Sequence, residues 1–129
     1  MQKVRIRQET MKQTCTIPKQ LTTLNVYINA ERCNRFLGAK IKKDETMYCT
    51  HYVRVLQPIL QPVKATFTWI TDDEKTDSDN LTFGAKFIFD ALVKTGILEN
   101  DGRKQVLEIH HLFATEKGNA RCVVELSTE

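Results

Sequence analysis

The chain has 129 residues, 41% hydrophobic and 27% charged, with a net charge of +3. That length suits one domain able to bury about two-thirds of its unfolded surface, and that composition excludes an intrinsically disordered chain. No apolar stretch nears the roughly 18 residues a membrane helix needs. The basic start, Met1 to Arg7, runs into Gln8, Glu9 and Thr10 instead of an apolar core, which argues against a secretory signal.

In chain order, Val4 and Ile6 alternate with Lys3, Arg5 and Arg7, so residues 1–11 read as an edge strand or a loose arm. Lys12 to Ile17 alternates weakly and stops at Pro18, as a short strand does. Leu24, Val26, Tyr27 and Ala30 line one face of a short helix that runs to about Arg35. Gly38 breaks that pattern, and a second helix is expected from about Lys40 to Leu56, with Met47, Val53 and Leu56 among its apolar residues. Pro58 and Pro62 bracket a turn. Val63, Ala65, Phe67 and Trp69 then alternate with Lys64, Thr66 and Thr68, a strand with one buried face.

An acidic segment, Thr71 to Asn80, leads to the strongest helical pattern, from Leu81 or Thr82 to Thr95. Phe83, Phe87 and Ala91 recur at four-residue spacing beside Ile88 and Leu92, and Gly96 fits the position just past the end. A turn at Glu99-Asn100-Asp101-Gly102 precedes a strand from Val106 to Phe113. Lys117-Gly118-Asn119 turns the chain into a returning strand, Arg121 to Leu126. The sum is an α+β domain.

Charge is divided along the chain. Residues 1–69 hold twelve Lys/Arg and four Asp/Glu, whereas residues 70–129 hold seven and twelve. A basic half beside an acidic half suits phosphate binding on one side and cation binding on the other, and solvated faces give the same count. Cys15, Cys33, Cys49 and Cys122 form no CxxC pair and no zinc-finger spacing, so reduced thiols and a cytoplasmic location are expected.

The acidic segment carries the chemistry. Asp77 and Asp79 are two apart; in an extended chain both carboxylates lie on one face, close enough to share a cation. Asn80 or Thr82 can cap the helix that follows, whose N-terminus favours anions such as phosphate. Lys86 and Asp90 are four apart on one helical face. Asp101 lies just past the helix. It meets the earlier pair only if its loop doubles back or the flanking strands lie side by side. Carboxylates that hold hard divalent ions and a cation at the transition state are what phosphodiester hydrolysis needs. Alone, an Asp-x-Asp-Asn run is more often a cap or turn than a ligand set.

The full series is more specific. DSDN, then Lys86 and Asp90 within KFIFDAL, a glycine at the helix end, and NDGRKQV resemble the RusA-type Holliday junction resolvases, in particular their relatives encoded by phages and prophages. TIPKQLTTLNVYINAER followed by GAKIKK extends the resemblance, which covers most of residues 14–126. It implies a single domain over residues 1–129, with a mixed β-sheet and packed helices. It also implies a magnesium-dependent endonuclease, with manganese as a substitute, that resolves branched four-way DNA by paired nicks as a homodimer. Carried over by position, Asp77, Asp79 and Asp101 would bind the metal and Lys86 would be the transition-state cation. Asp90 would orient Lys86 or bind a second ion. Two departures stand out: Lys86 follows Asp79 by seven residues, a longer spacing than in the best-known member, and Asn100-Asp101 replaces a pair of aspartates.

Arg32, Arg35, Lys40, Lys42 and Lys43 form the densest basic cluster. With Asn25 and Asn80 they are the expected DNA contacts, reading backbone and junction shape, since no base-reading motif accompanies them. His110 and His111, adjacent on a strand, point to opposite faces, one inward and one to solvent. Two other readings fit the same residues: a non-catalytic DNA-binding module, and a nuclease of flaps or forks.

Overall fold

The structure is a computed structural model that describes residues 11–128, so the expected N-terminal arm lies, but for Met11, outside the described residues. The elements are β1 (Lys12–Ile17), α1 (Leu24–Cys33), α2 (Arg35–Val53), β2 (Val63–Thr71), α3 (Ser78–Thr82), α4 (Ala85–Lys94), β3 (Val106–Thr115) and β4 (Arg121–Ser127). They form an α+β fold around one mixed sheet of order β1-β4-β2-β3. β4 is antiparallel to both β1 and β2, and β2 is parallel to β3. No helix among the described residues is long and apolar enough to cross a membrane.

The strands fall where alternation places them, but their pairing corrects one expectation. β4 does not return beside β3; it crosses to the far side of β2. The helical crossover from β2 delivers β3 as a parallel neighbour. β4, with Cys122, Val124 and Leu126 buried, then takes the central place between β1 and β2, where its apolar face joins the core.

Two helix expectations are corrected as well. Gly38 does not break a helix: α2 runs through it from Arg35. The break is at Asn34, whose Oδ1 accepts the Phe36 N–H at 2.8 Å and so caps α2. Gly38 instead permits a close approach of α1, since a Cβ there would stand 3.2 Å from Glu31 Cβ. The long helix expected before Thr95 is two helices. Asp77 holds the N-cap position of α3, not Asn80 or Thr82, and the chain turns at Phe83–Gly84 before α4. Gly84 is pressed on the sheet there: a Cβ would lie 3.1 Å from the Trp69 ring and 3.2 Å from Leu21 Cβ. Gly96, at φ +80°, ends α4 as expected.

The core lies between the sheet and the helices α2 and α4. Phe67, Phe87, Ile88, Leu92, Val124 and Leu126 are fully buried within it. All four cysteines are free, and only Cys33 is exposed. Burial pushes the thiol of Cys15 up to about 11 and that of Cys49 up to about 12. They therefore pack as neutral, small apolar groups.

Candidate functional site

β2 and β3 end level with each other, Thr71 beside Thr115. In open parallel α/β sheets the crevice past the carboxyl ends of the strands binds ligands; in this mixed sheet β2 and β3 are the one parallel pair among the described residues. Here the crevice is an open cleft of about 350 Å³ lined by Thr71, Glu74, Thr76, Ser78, Leu81 and the end of β3. α3 opens directly onto it. Asp77 is extended at φ −66°, ψ 150°, whereas Asp79 already lies in the first helical turn. The extended face expected to align them is therefore replaced by a helix start. The two carboxylates sit around one N-terminus, where the partial positive charge of free N–H groups favours them. Both are exposed and carry no side-chain hydrogen bond or ion pair among the described residues.

Two contacts fasten α1 to this edge. Asn80 Oδ1 accepts the Asn25 N–H at 2.9 Å. The rings of Tyr27 and Phe83 lie 5.2 Å apart. Separately, the buried Glu45 of α2 holds the segment that precedes α1, accepting from Lys19 Nζ at 2.6 Å and from the N–H and hydroxyl of Thr22 at 2.6 and 2.8 Å. Asn25 and Asn80 thus meet beside Asp77 and Asp79, as the structural tie between α1 and α3. Lys86 is exposed in the first turn of α4, three residues past Phe83. Asp90 is half-exposed one turn further along α4, and no ion pair links it to Lys86 among the described residues.

Asp101 lies elsewhere. The flanking strands do run side by side, as one route to convergence requires, but in parallel, so the loop after α4 meets the amino ends of β2 and β3. β2 has nine residues, about 26 Å at about 3.3 Å per residue, and Asp77 and Asp79 are past its other end. Nor does the loop fold back. Buried Gln105 accepts the N–H groups of Glu99 and Asn100 at 2.9 and 3.0 Å, and donates to Ile59 O at 2.9 Å. Asn100 Oδ1 accepts the Gly102 N–H at 2.9 Å. Asp101 is exposed on a pinned turn. Among the described residues no group of three or more His, Cys, Asp or Glu within one chain is placed to hold a metal ion. A single chain therefore does not fit the magnesium site that the resemblance implies.

The expected phosphate-binding residues are gathered on one projection. Arg32 ends α1, Arg35 opens α2, and Lys40, Lys42 and Lys43 follow on α2, all exposed. Lys40 pairs with Asp44 at 2.6 Å. The histidines divide as expected. His110 contacts Glu108 at 2.8 Å in solvent, while His111 is half-buried, accepts from Trp69 Nε1 at 2.9 Å and stacks on Phe67. Burial, and the neighbouring His110, lower the His111 pKa from its ordinary value.

Two features escaped the sequence reading. Glu74, in the loop after β2, lines the cleft; no periodicity or spacing singles it out from Asp72 and Asp73. β3 is an edge strand whose Leu107, Ile109, Leu112 and Phe113 remain about half exposed. Its signal was present, because apolar residues occupy both faces where a solvated edge strand alternates. Compared with known proteins, the chain matches no family model and no curated sequence.

Proposed function

We propose that the chain is a magnesium-dependent endonuclease of branched DNA that works as a two-fold dimer, each site drawing on both copies. The observation that carries this reading is β3: among the described residues, a ten-residue edge strand with exposed apolar side chains and no strand paired on its outer side. Such an edge is a template for pairing. A second copy pairing there antiparallel about a two-fold axis extends the sheet and covers both edges at once. That operation sets the amino end of the second β3 beside the carboxyl end of the first. Asp101 of the second copy then approaches the edge that holds Asp77 and Asp79, on the same helical side of the sheet. The resemblance of the DSDN…NDG series supplies the second support.

In this arrangement Asp77 and Asp79 of one copy and Asp101 of the other would hold the ion, all hard oxygen donors. Bound there, magnesium would supply charge neutralisation and an activated water. The chain's own contribution is to place acids around a helix start that also favours a phosphate. The Lys86 ammonium would meet the developing charge, and the basic projection would follow the DNA backbone.

Complementation tests the sharing. Asp79→Asn and Asp101→Asn are each expected to lower magnesium-dependent cleavage of a synthetic four-way junction by more than about 100-fold. Co-refolded in equal amounts, they regain about a quarter of the wild-type sites, because about half the dimers are mixed and each mixed dimer has one intact site. A mixture that forms dimers and stays inactive rejects the shared site. The separation of Asp101 from Asp77 within one chain favours a second reading, a non-catalytic DNA-binding module. It predicts junction binding with no cleavage by the wild type at any magnesium or manganese concentration.

A further inference from the structure

α1 and the first turns of α2 form a hairpin that stands off the core: no residue of α1 is buried. Its base is tied to the acidic edge through Asn25 and Tyr27. Its tip, around Asn34, is about 15 Å further on at about 1.5 Å per residue. Phe36 sits at that tip and is 70% exposed. The Arg35 guanidinium carbon lies 5.3 Å from the centre of its ring. Helical spacing puts Phe36, Lys40, Lys43 and Met47 on one outward stripe of α2. All four are exposed.

An aromatic ring in water is a cost that core packing does not explain here. The charge around it selects the partner. The hairpin carries Arg32, Arg35, Lys40, Lys42 and Lys43. Of its acids, Asp44 is paired with Lys40 and Glu31 accepts from the Tyr27 hydroxyl at 2.9 Å. A ring flanked by cations matches a nucleic acid strand, whose bases stack on aromatic faces while its phosphates meet Lys and Arg. Paired bases inside a duplex hide their faces; bases at a branch point can expose them.

We propose that Phe36 is a stacking platform for an unpaired base at the branch point of the DNA, with Lys40 and Lys43 following the adjoining backbone. This rests on the branched-DNA reading above and adds how a branch is distinguished from a duplex. Apolar side chains that enter base steps are an established means of recognising deformed DNA.

The test is binding of the full chain, without divalent ions so that no cleavage occurs. Fluorescence anisotropy compares a labelled four-way junction with a fully paired duplex. Phe36→Ala is expected to weaken junction binding by about tenfold or more, leave duplex binding within about twofold, and leave the melting temperature unchanged, since the ring is in solvent. Phe36→Trp restores junction binding. Lys40→Ala/Lys43→Ala weakens both DNAs and flattens their salt dependence by about 0.9 in log–log slope per lost phosphate contact. Unaltered junction binding by Phe36→Ala overturns the stacking role while leaving the branched-DNA reading standing. Equal weakening on both DNAs also overturns it, as does a change in oligomeric state that marks the tip as a contact between copies. Failure of the wild type to bind either DNA removes the branched-DNA reading and this inference together.

Discussion

β2 and β3 are parallel neighbours of nearly equal length, yet they differ in what covers them. Trp69 on β2 is 4% exposed while Phe113, its partner in register on β3, is 47% exposed. Ala65 is fully buried and its partner Ile109 is half exposed. The helices close over β2 and stop there, so the hydrophobic core of the single chain ends one strand before the sheet does. A strand that is apolar but left outside the core is either an aggregation hazard or one half of an interface.

The contrast predicts its own mutational signature. The largest effect is expected at Phe67, which is fully buried and stacks on Trp69 and His111. Phe67→Ala should cost about 3–5 kcal/mol in urea-monitored unfolding. If it costs no more than a β3 substitution, the distinction between the two strands is false. Gly84→Ala comes next, at about 1–3 kcal/mol, because the added methyl overpacks Trp69 and Leu21 at the turn between α3 and α4.

His111 gives a smaller and pH-dependent effect. Its Nδ1 must be unprotonated to accept from Trp69, and its folded pKa is lowered. The unfolded chain therefore binds the proton more readily. The contribution is complete above the unfolded value of about 6.5 and is lost as pH falls toward the folded value. Melting temperatures at pH 7.5 and 5.5 should differ more for the wild type than for His111→Gln; equal differences would discard this link across β2 and β3. The smallest effect on the subunit is expected from Leu112→Lys, within about 0.5 kcal/mol for a half-exposed site in dilute solution. The same substitution should convert dimer to monomer in sedimentation, and a persisting dimer would place the interface elsewhere.

Local pattern revealed the strands well. Val63 to Trp69 alternates without a fault, and the buried and open faces are those read from it. What stayed hidden depends on contacts between distant residues. Gly84 looks like a tolerated helical glycine until Trp69 is set against it. Asp101 looks free to swing back until Gln105, four residues later, is seen bridging its turn to Ile59. Nothing around Gln105 distinguishes it from a surface glutamine. The acidic and basic residue types were therefore legible, as was their place on the elements. Whether Asp101 reaches Asp77 and Asp79 within one chain was not, because it depends on whether β3 runs parallel or antiparallel to β2, which the turn sequences leave undecided.

The uneven placing of the sulfurs has a practical result. Three thiols are sealed in the interior in unreactive form, and Cys33 alone faces water, at the end of α1 beside the hairpin tip. A maleimide dye should therefore label the native chain at one position without substitution of the others. It would report, by quenching or energy transfer to a tagged oligonucleotide, whether that projection touches nucleic acid.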